Sequence, residues 1–137
     1  MEPSDDGLID ALAQSAYLVM AALNRVGAEY DLSLTQLRVL GILRDHRRVR
    51  ITALADHLGL EKSTMTGLVD RAEKRGLLAR APSATDGRAV DVLLTPKGEE
   101  LVGPIHGRFA ELVAPLIGTL PPAERLSLRA SLERMLA

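Results

Sequence analysis

Cysteine and tryptophan are absent from this chain of 137 residues, and Tyr17, Tyr30 and Phe109 are its only aromatic side chains. Without a thiol there is no disulfide framework, no cysteine-ligated zinc or iron–sulfur cluster, and no thiol nucleophile or peroxide sensor. Long apolar runs are also missing. The longest uncharged stretch, Ala11 to Asn24, is shorter and more polar than a membrane span, and the opening Met1-Glu2-Pro3-Ser4-Asp5-Asp6 is acidic where a signal peptide is basic. The expectation is a cytoplasmic chain with no membrane partner. With 47% apolar and 26% charged residues, the length suits one globular domain that buries its own core.

Nor is there an excess of one charge, since 17 basic residues stand against 18 acidic ones; their placement is uneven. Residues 1–31 hold one basic and six acidic groups, residues 32–97 twelve basic and seven acidic, and residues 98–137 four basic and five acidic. A basic middle between acidic flanks is the distribution expected when one face meets phosphates.

Apolar residues at helical spacing from Leu8 to Val26 predict a long amphipathic first helix. Ser33 and Gln36 fit a capping box, with Leu32 and Leu37 as its staple and Leu37, Leu40 and Leu43 as the buried stripe of a second helix. The polar run Asp45 to Arg50 reads as a loop with a short extended piece near Val49 to Ile51. Thr52 is the expected cap of a third helix that stops at Gly59. A fourth helix follows after Glu61 and is closed by Gly76, so the third and fourth form a helix-turn-helix pair. Two extended runs, Leu77 to Arg80 and Ala89 to Leu94, flank turn residues and predict a β-hairpin. Thr95 and Pro96 restart a helix along Val102, Ile105, Phe109, Leu112, Leu116 and Leu120, which Pro104 and Pro115 should kink or split. A last helix begins near Pro122 and carries Leu126, Leu128, Leu132, Met135 and Leu136.

On the fourth helix, Met65, Leu68, Val69 and Ala72 share one face, expected to be buried. The opposite face carries Ser63, Gly67, Asp70 and Lys74, with Thr64, Thr66 and Arg71 on its flanks. Such small polar groups near a helix N-terminus let the helix approach another surface closely, and a major groove admits a helix in that way. Lys62, Ser63, Thr64 and Thr66 are therefore candidates for groove contacts and Arg71 for a phosphate. Ser63 and Thr64 serve equally well as residues that satisfy a helix start. In the hairpin, Arg88 can enter a neighbouring minor groove, and Asp86 can hold its guanidinium by a charge-assisted pair. The plainer alternative is a local ion pair worth about 0–1 kcal/mol.

The run from Ile51 to Leu101 resembles the winged helix-turn-helix core of the MarR family of bacterial transcription regulators. The Asp86-x-Arg88 pair, the exit Glu73-Lys74-Arg75-Gly76-Leu77-Leu78-Ala79-Arg80 and the re-entry Leu94-Thr95-Pro96-Lys97-Gly98 match in order and spacing. The resemblance implies a mainly α fold with a small β-hairpin wing. It also implies a winged helix-turn-helix lobe over 32–95 and N- and C-terminal helices, 1–31 and 96–137, that form a homodimerisation platform. Function follows as sequence-specific binding of double-stranded DNA at a pseudo-palindromic operator, in most members as a repressor. It carries Lys62, Ser63, Thr64 and Thr66 to the groove, Arg71 to phosphate, Arg88 to the minor groove and Asp86 to its support. Two departures stand out: Gly67, where many members carry a long basic residue, and Ala72, where leucine is commoner and whose small side chain should loosen the packing or leave room for a neighbour.

The family often takes small aromatic or anionic effectors in a cleft between the dimer helices and the DNA-binding lobe. The three aromatics here read better as core or interface residues, while Arg25, Arg38 and Arg44 can meet an anion. His46, His57 and His106 lie far apart, so no metal is expected, and no cofactor is implied. An enzyme is the least expected class, because no nucleophile triad, phosphate loop or paired carboxylate stands in a suitable place. The alternative function is a winged-helix protein-interaction module that has lost specific DNA binding.

Overall fold

The helix α1, Asp6–Tyr30, opens the computed structural model, which describes residues 4–137; Met1 to Pro3, part of the acidic opening, lie outside the described residues. It is followed by α2 (Leu34–Asp45), β1 (Arg48–Arg50), α3 (Ile51–Leu58), α4 (Lys62–Lys74), β2 (Leu78–Pro82), β3 (Val90–Leu94), α5 (Pro96–Ile117) and α6 (Pro122–Leu136). The sheet is antiparallel in the order β1-β3-β2, with Arg48 opposite Leu93 and Leu78 opposite Leu94. This is the mainly helical, winged architecture expected from the sequence.

Local chemistry accounts for most boundaries. The capping box at α2 is complete: Ser33 Oγ accepts the Gln36 N–H and Gln36 Oε1 accepts the Ser33 N–H. Gly59 and Gly76 take positive φ where α3 and α4 end, a conformation glycine adopts at little cost. Thr52 does not cap α3. The helix begins two residues earlier than that cap would set, with Arg50 as its cap and no side-chain hydrogen bond there, because pairing of β1 with β3 holds the chain extended up to Arg50. Pro104 and Pro115 stand inside one continuous α5 instead of splitting it; both are exposed, and Ile105 between them is anchored in the core.

The core joins Leu37, Leu40 and Leu43 of α2 to Leu54, to the inner face of α4, and to Leu78 and Val92 of the sheet. Beside Ala72 the lattice of side chains leaves a gap of about 10 Å³, so the small residue is accommodated by close packing with hardly a void. The helix α1 behaves otherwise. Only Val26 and Gly27 are buried, while Leu8, Ile9, Leu12, Tyr17, Leu18 and Met20 stand exposed, and α6 has no buried residue. By length and composition α1 is also apolar enough to cross a bilayer, contrary to expectation, but its C-terminal half packs on α2 and α5 within the fold.

An ion pair fixes that packing. Arg108 of α5 donates to both carboxylate oxygens of Glu29 on α1, at 2.9 and 3.0 Å, and to Glu111 at 3.1 Å. These hydrogen bonds, with the charges of Arg108 and Arg25, hold the Glu29 carboxyl below its ordinary value near 4.5 against the opposing effect of desolvation. A carboxylate depressed in the folded state stabilises the fold above its unfolded pKa, and that contribution is lost as pH falls through the folded value. Thermal melts of wild type and Glu29→Gln are therefore expected to differ at pH 7 and to converge as the pH is lowered through the depressed Glu29 value. A gap that persists unchanged in acid would assign the effect to packing.

Candidate nucleic-acid interface

The second helix of the helix-turn-helix pair, α4, buries Met65, Leu68, Val69 and Ala72, the face its periodicity assigns inward. Lys62, Ser63, Thr64 and Arg71 are exposed and Thr66 is half-buried. The helix is capped by Glu61 with no side-chain hydrogen bond, so Ser63 and Thr64 are not used to satisfy the helix start. Arg71 lies along the surface left by Gly67, its Nη1 3.6 Å from where a Cβ on that glycine would stand. The missing side chain thus opens a shallow notch with a guanidinium at its edge.

Asp70, which the helical wheel places on the same polar face, would repel phosphate if left alone. It is neutralised from the sheet: Arg80 on β2 donates to Asp70 Oδ1 at 2.6 Å, to Glu73 Oε1 at 2.8 Å and to the Thr66 carbonyl at 3.2 Å. This guanidinium fastens β2 to α4 and pairs with both of the helix's acidic groups, halving their net charge. The sequence reading missed Arg80, and its signal was available, since carboxylates three residues apart on a helix expected to meet phosphate call for a counter-charge.

At the wing, Asp86 departs from its expected role. Its carboxylate accepts the Arg88 backbone N–H at 3.1 Å and forms no ion pair with the Arg88 guanidinium. Its carbonyl accepts the Ala89 N–H at 2.9 Å. An aspartate two residues before its donor closes an Asx turn, and that local closure outcompetes a reach for the exposed guanidinium. Asp86 therefore shapes the tip and leaves the exposed Arg88 side chain free. Residues unassigned from sequence brace the wing root: Arg48 donates to Asp91 at 3.2 Å and to the Pro82 carbonyl at 3.0 Å, and Arg50 reaches the Ser83 hydroxyl at 3.4 Å. Among the described residues Lys62, Arg71, Lys74 and Arg88 have no acidic partner within 4 Å.

A cavity of about 290 Å³ opens between α1, α2 and α5. Leu23, Val26, Leu37, Leu40, Ile105 and Phe109 supply its apolar walls, and Arg38, Arg44, Asp45 and His106 its polar groups. Arg25 is not among the lining residues, and Phe109 serves both the core's edge and the cavity wall. No group of three or more histidine or acidic residues suited to a metal occurs among the described residues.

Residues 32–90 match the MarR family. A helix-turn-helix-type transcriptional regulator of Mycobacterium bovis is 30% identical over all 137 residues and 96% of its own length. The regulator YfiV of Bacillus subtilis is 37% identical over 71 residues, which span 52% of this chain and 44% of that protein. Among solved structures, Bordetella bronchiseptica BpsR, whose DNA binding is regulated by 6-hydroxynicotinic acid, superposes with a TM-score of 0.76 at 25% identity, over 98% of this chain and 96% of that one. The full-length match, the shared fold and the helix-turn-helix with its wing agree: the chain belongs to the MarR family of transcriptional regulators.

Proposed function

We propose that this protein is a repressor that binds a pseudo-palindromic operator as a homodimer and is released by a small aromatic or anionic effector. The observation that carries the reading is the division of charge on the helix and wing. Arg80 pairs with both acidic groups of α4, while Lys62, Arg71 and Arg88 have no ion-pair partner among the described residues and Ser63 and Thr64 are not spent on capping. Lys62, Ser63, Thr64 and Thr66 then meet the major groove, Arg71 a phosphate, and Arg88 the minor groove from a tip ordered by Asp86. The exposed apolar residues of α1 and α6 support dimerisation, since apolar helix faces of this extent are interaction surfaces. The apolar cavity with two arginines beside it supports an effector of that class.

Selection of duplexes from a randomised DNA pool tests the reading. An inverted repeat with half-sites about one helical turn apart, bound with steep salt dependence, is the expected result. No enrichment, or affinity flat in salt, would overturn it in favour of a protein-interaction module. Arg88→Ala is expected to weaken operator binding roughly tenfold, about the value of one groove contact, with the dimer intact. Truncation before Pro122 removes Leu126, Leu128, Leu132, Met135 and Leu136 and is expected to leave a monomer by light scattering.

A further inference from the structure

The recognition helix α4 ends on a polar junction that no proposed DNA contact uses. Arg75, its C-terminal cap, turns back to α1, where its guanidinium donates to the main-chain carbonyls of Asp31 and, at 3.2 Å, Tyr30. Carbonyls at a helix C-terminus lack intrahelical partners and carry partial negative charge, so a cation that bonds them closes the helix and holds itself in place. The carbonyl of Arg75 in turn accepts Lys97 Nζ from the first turn of α5 at 3.0 Å. The next carbonyl, that of Gly76, accepts the Thr95 hydroxyl. One end of α4 is thus tied to α1 and α5, whereas along its length α4 packs on α3 and β2. Among the described residues, every side-chain hydrogen bond between the ends of α1 and α4 comes from Arg75.

We propose that Arg75 is a positioning residue that sets the angle of the recognition helix against α1, and so the spacing of the two recognition helices in the dimer. The inference rests on the dimeric operator reading above. Its physical basis is the planar guanidinium, whose fork bonds two carbonyls at once and fixes a direction; a lysine ammonium at the same place meets them as a point charge. Inserting one base pair moves one half-site by about 3.4 Å and rotates it by roughly a tenth of a turn. A rigidly held pair of helices discriminates against that shift, and a loosely held pair tolerates it.

The test compares wild type, Arg75→Gln and Arg75→Lys on the selected operator and on versions with one central base pair added or removed. Wild type is expected to bind the altered spacings at least tenfold more weakly. Arg75→Gln is expected to lose affinity for the native spacing while its discrimination falls below about threefold, with Arg75→Lys between the two. Wild-type discrimination in Arg75→Gln would overturn the proposal; if that variant shows no cooperative melt, Arg75→Lys decides by the same ratio. A second readout needs no DNA. Because the chain has no cysteine, Ser63→Cys on α4 and Asn24→Cys on α1 can carry two spin labels, diluted with unlabelled protein so that only the intrachain distance is read. A distribution broadened by Arg75→Gln, or by Arg75→Lys if the glutamine variant does not fold, supports the proposal, and an unchanged one overturns it. If wild type selects no inverted repeat, the operator reading fails while the label distances still judge Arg75.

Discussion

Arg80→Met is expected to weaken operator binding roughly ten- to hundred-fold, about 1.4–2.8 kcal/mol, although Arg80 itself is assigned to no DNA contact. In the free protein its pairs with Asp70 and Glu73 are partly exposed, and pairs of that kind contribute about 0–1 kcal/mol each, so the fold should survive the change. Against DNA the balance differs. A carboxylate about 8 Å from a phosphate is repelled by about 0.5 kcal/mol even at the dielectric of water, and a helix in the major groove has several phosphates near that range. Adding Asp70→Asn and Glu73→Gln to Arg80→Met is expected to return affinity to within about threefold of wild type, because uncompensated charge is the cause. Anisotropy titrations at one fixed salt concentration, with melts to confirm folding, measure both variants. Binding unchanged in Arg80→Met would reduce the network to a structural brace, and a loss that neutral side chains do not repair would place the cause in helix orientation.

In that network the need for a counter-charge was legible in the sequence, but the strand that supplies it was not. Elements set by neighbours in the chain could be read: the Ser33 and Gln36 box, Pro96 behind its Thr95 cap, and the glycines that close α3 and α4 are local chemistry. The inner face of α4 followed from periodicity alone, and all four residues assigned to it are buried. What could not be read depends on elements meeting in space. The pairing of β1 with β3 ends at Arg50, so α3 starts ahead of Thr52 and leaves it no cap to make, and Asp91, 43 residues from Arg48, becomes that residue's partner. Asp86 illustrates a finer limit: an Asp two residues before an Arg can bond the backbone or the guanidinium, and the tight turn at the wing decides for the backbone. The stripe on α1 was legible as amphipathic, but nothing in one chain's pattern tells an apolar face covered by the same molecule from one left open.

Gly98→Ala is expected to destabilise the fold by about 3 kcal/mol and lower Tm by about 10 °C, at fixed protomer concentration. A Cβ there would stand 2.2 Å from the Leu77 carbonyl oxygen, 3.2 Å from its carbon and 3.3 Å from Leu94 Cδ2. Neither backbone is free to yield. The Leu77 carbonyl accepts the Thr95 N–H at 3.1 Å and the Leu77 N–H donates to Ala72 at 3.0 Å. On the other side the Thr95 hydroxyl accepts the Gly98 N–H at 3.0 Å. The first turn of α5 therefore rests directly on the turn that leaves α4, which gives the glycine of the Leu94 to Gly98 segment its physical reason. Helix propensity argues the other way, because alanine in a helix is favoured over glycine by about 1 kcal/mol. Gly67→Ala separates the two effects. Its Cβ would meet only Arg71 Nη1, at an ordinary 3.6 Å, so propensity acts unopposed and a gain of about 1 kcal/mol is expected. Urea unfolding of the two variants should then move in opposite directions from wild type. Equal shifts would mean that the backbone oxygen of Leu77 gives way, and that the seam between α4 and α5 is softer than its hydrogen bonds imply.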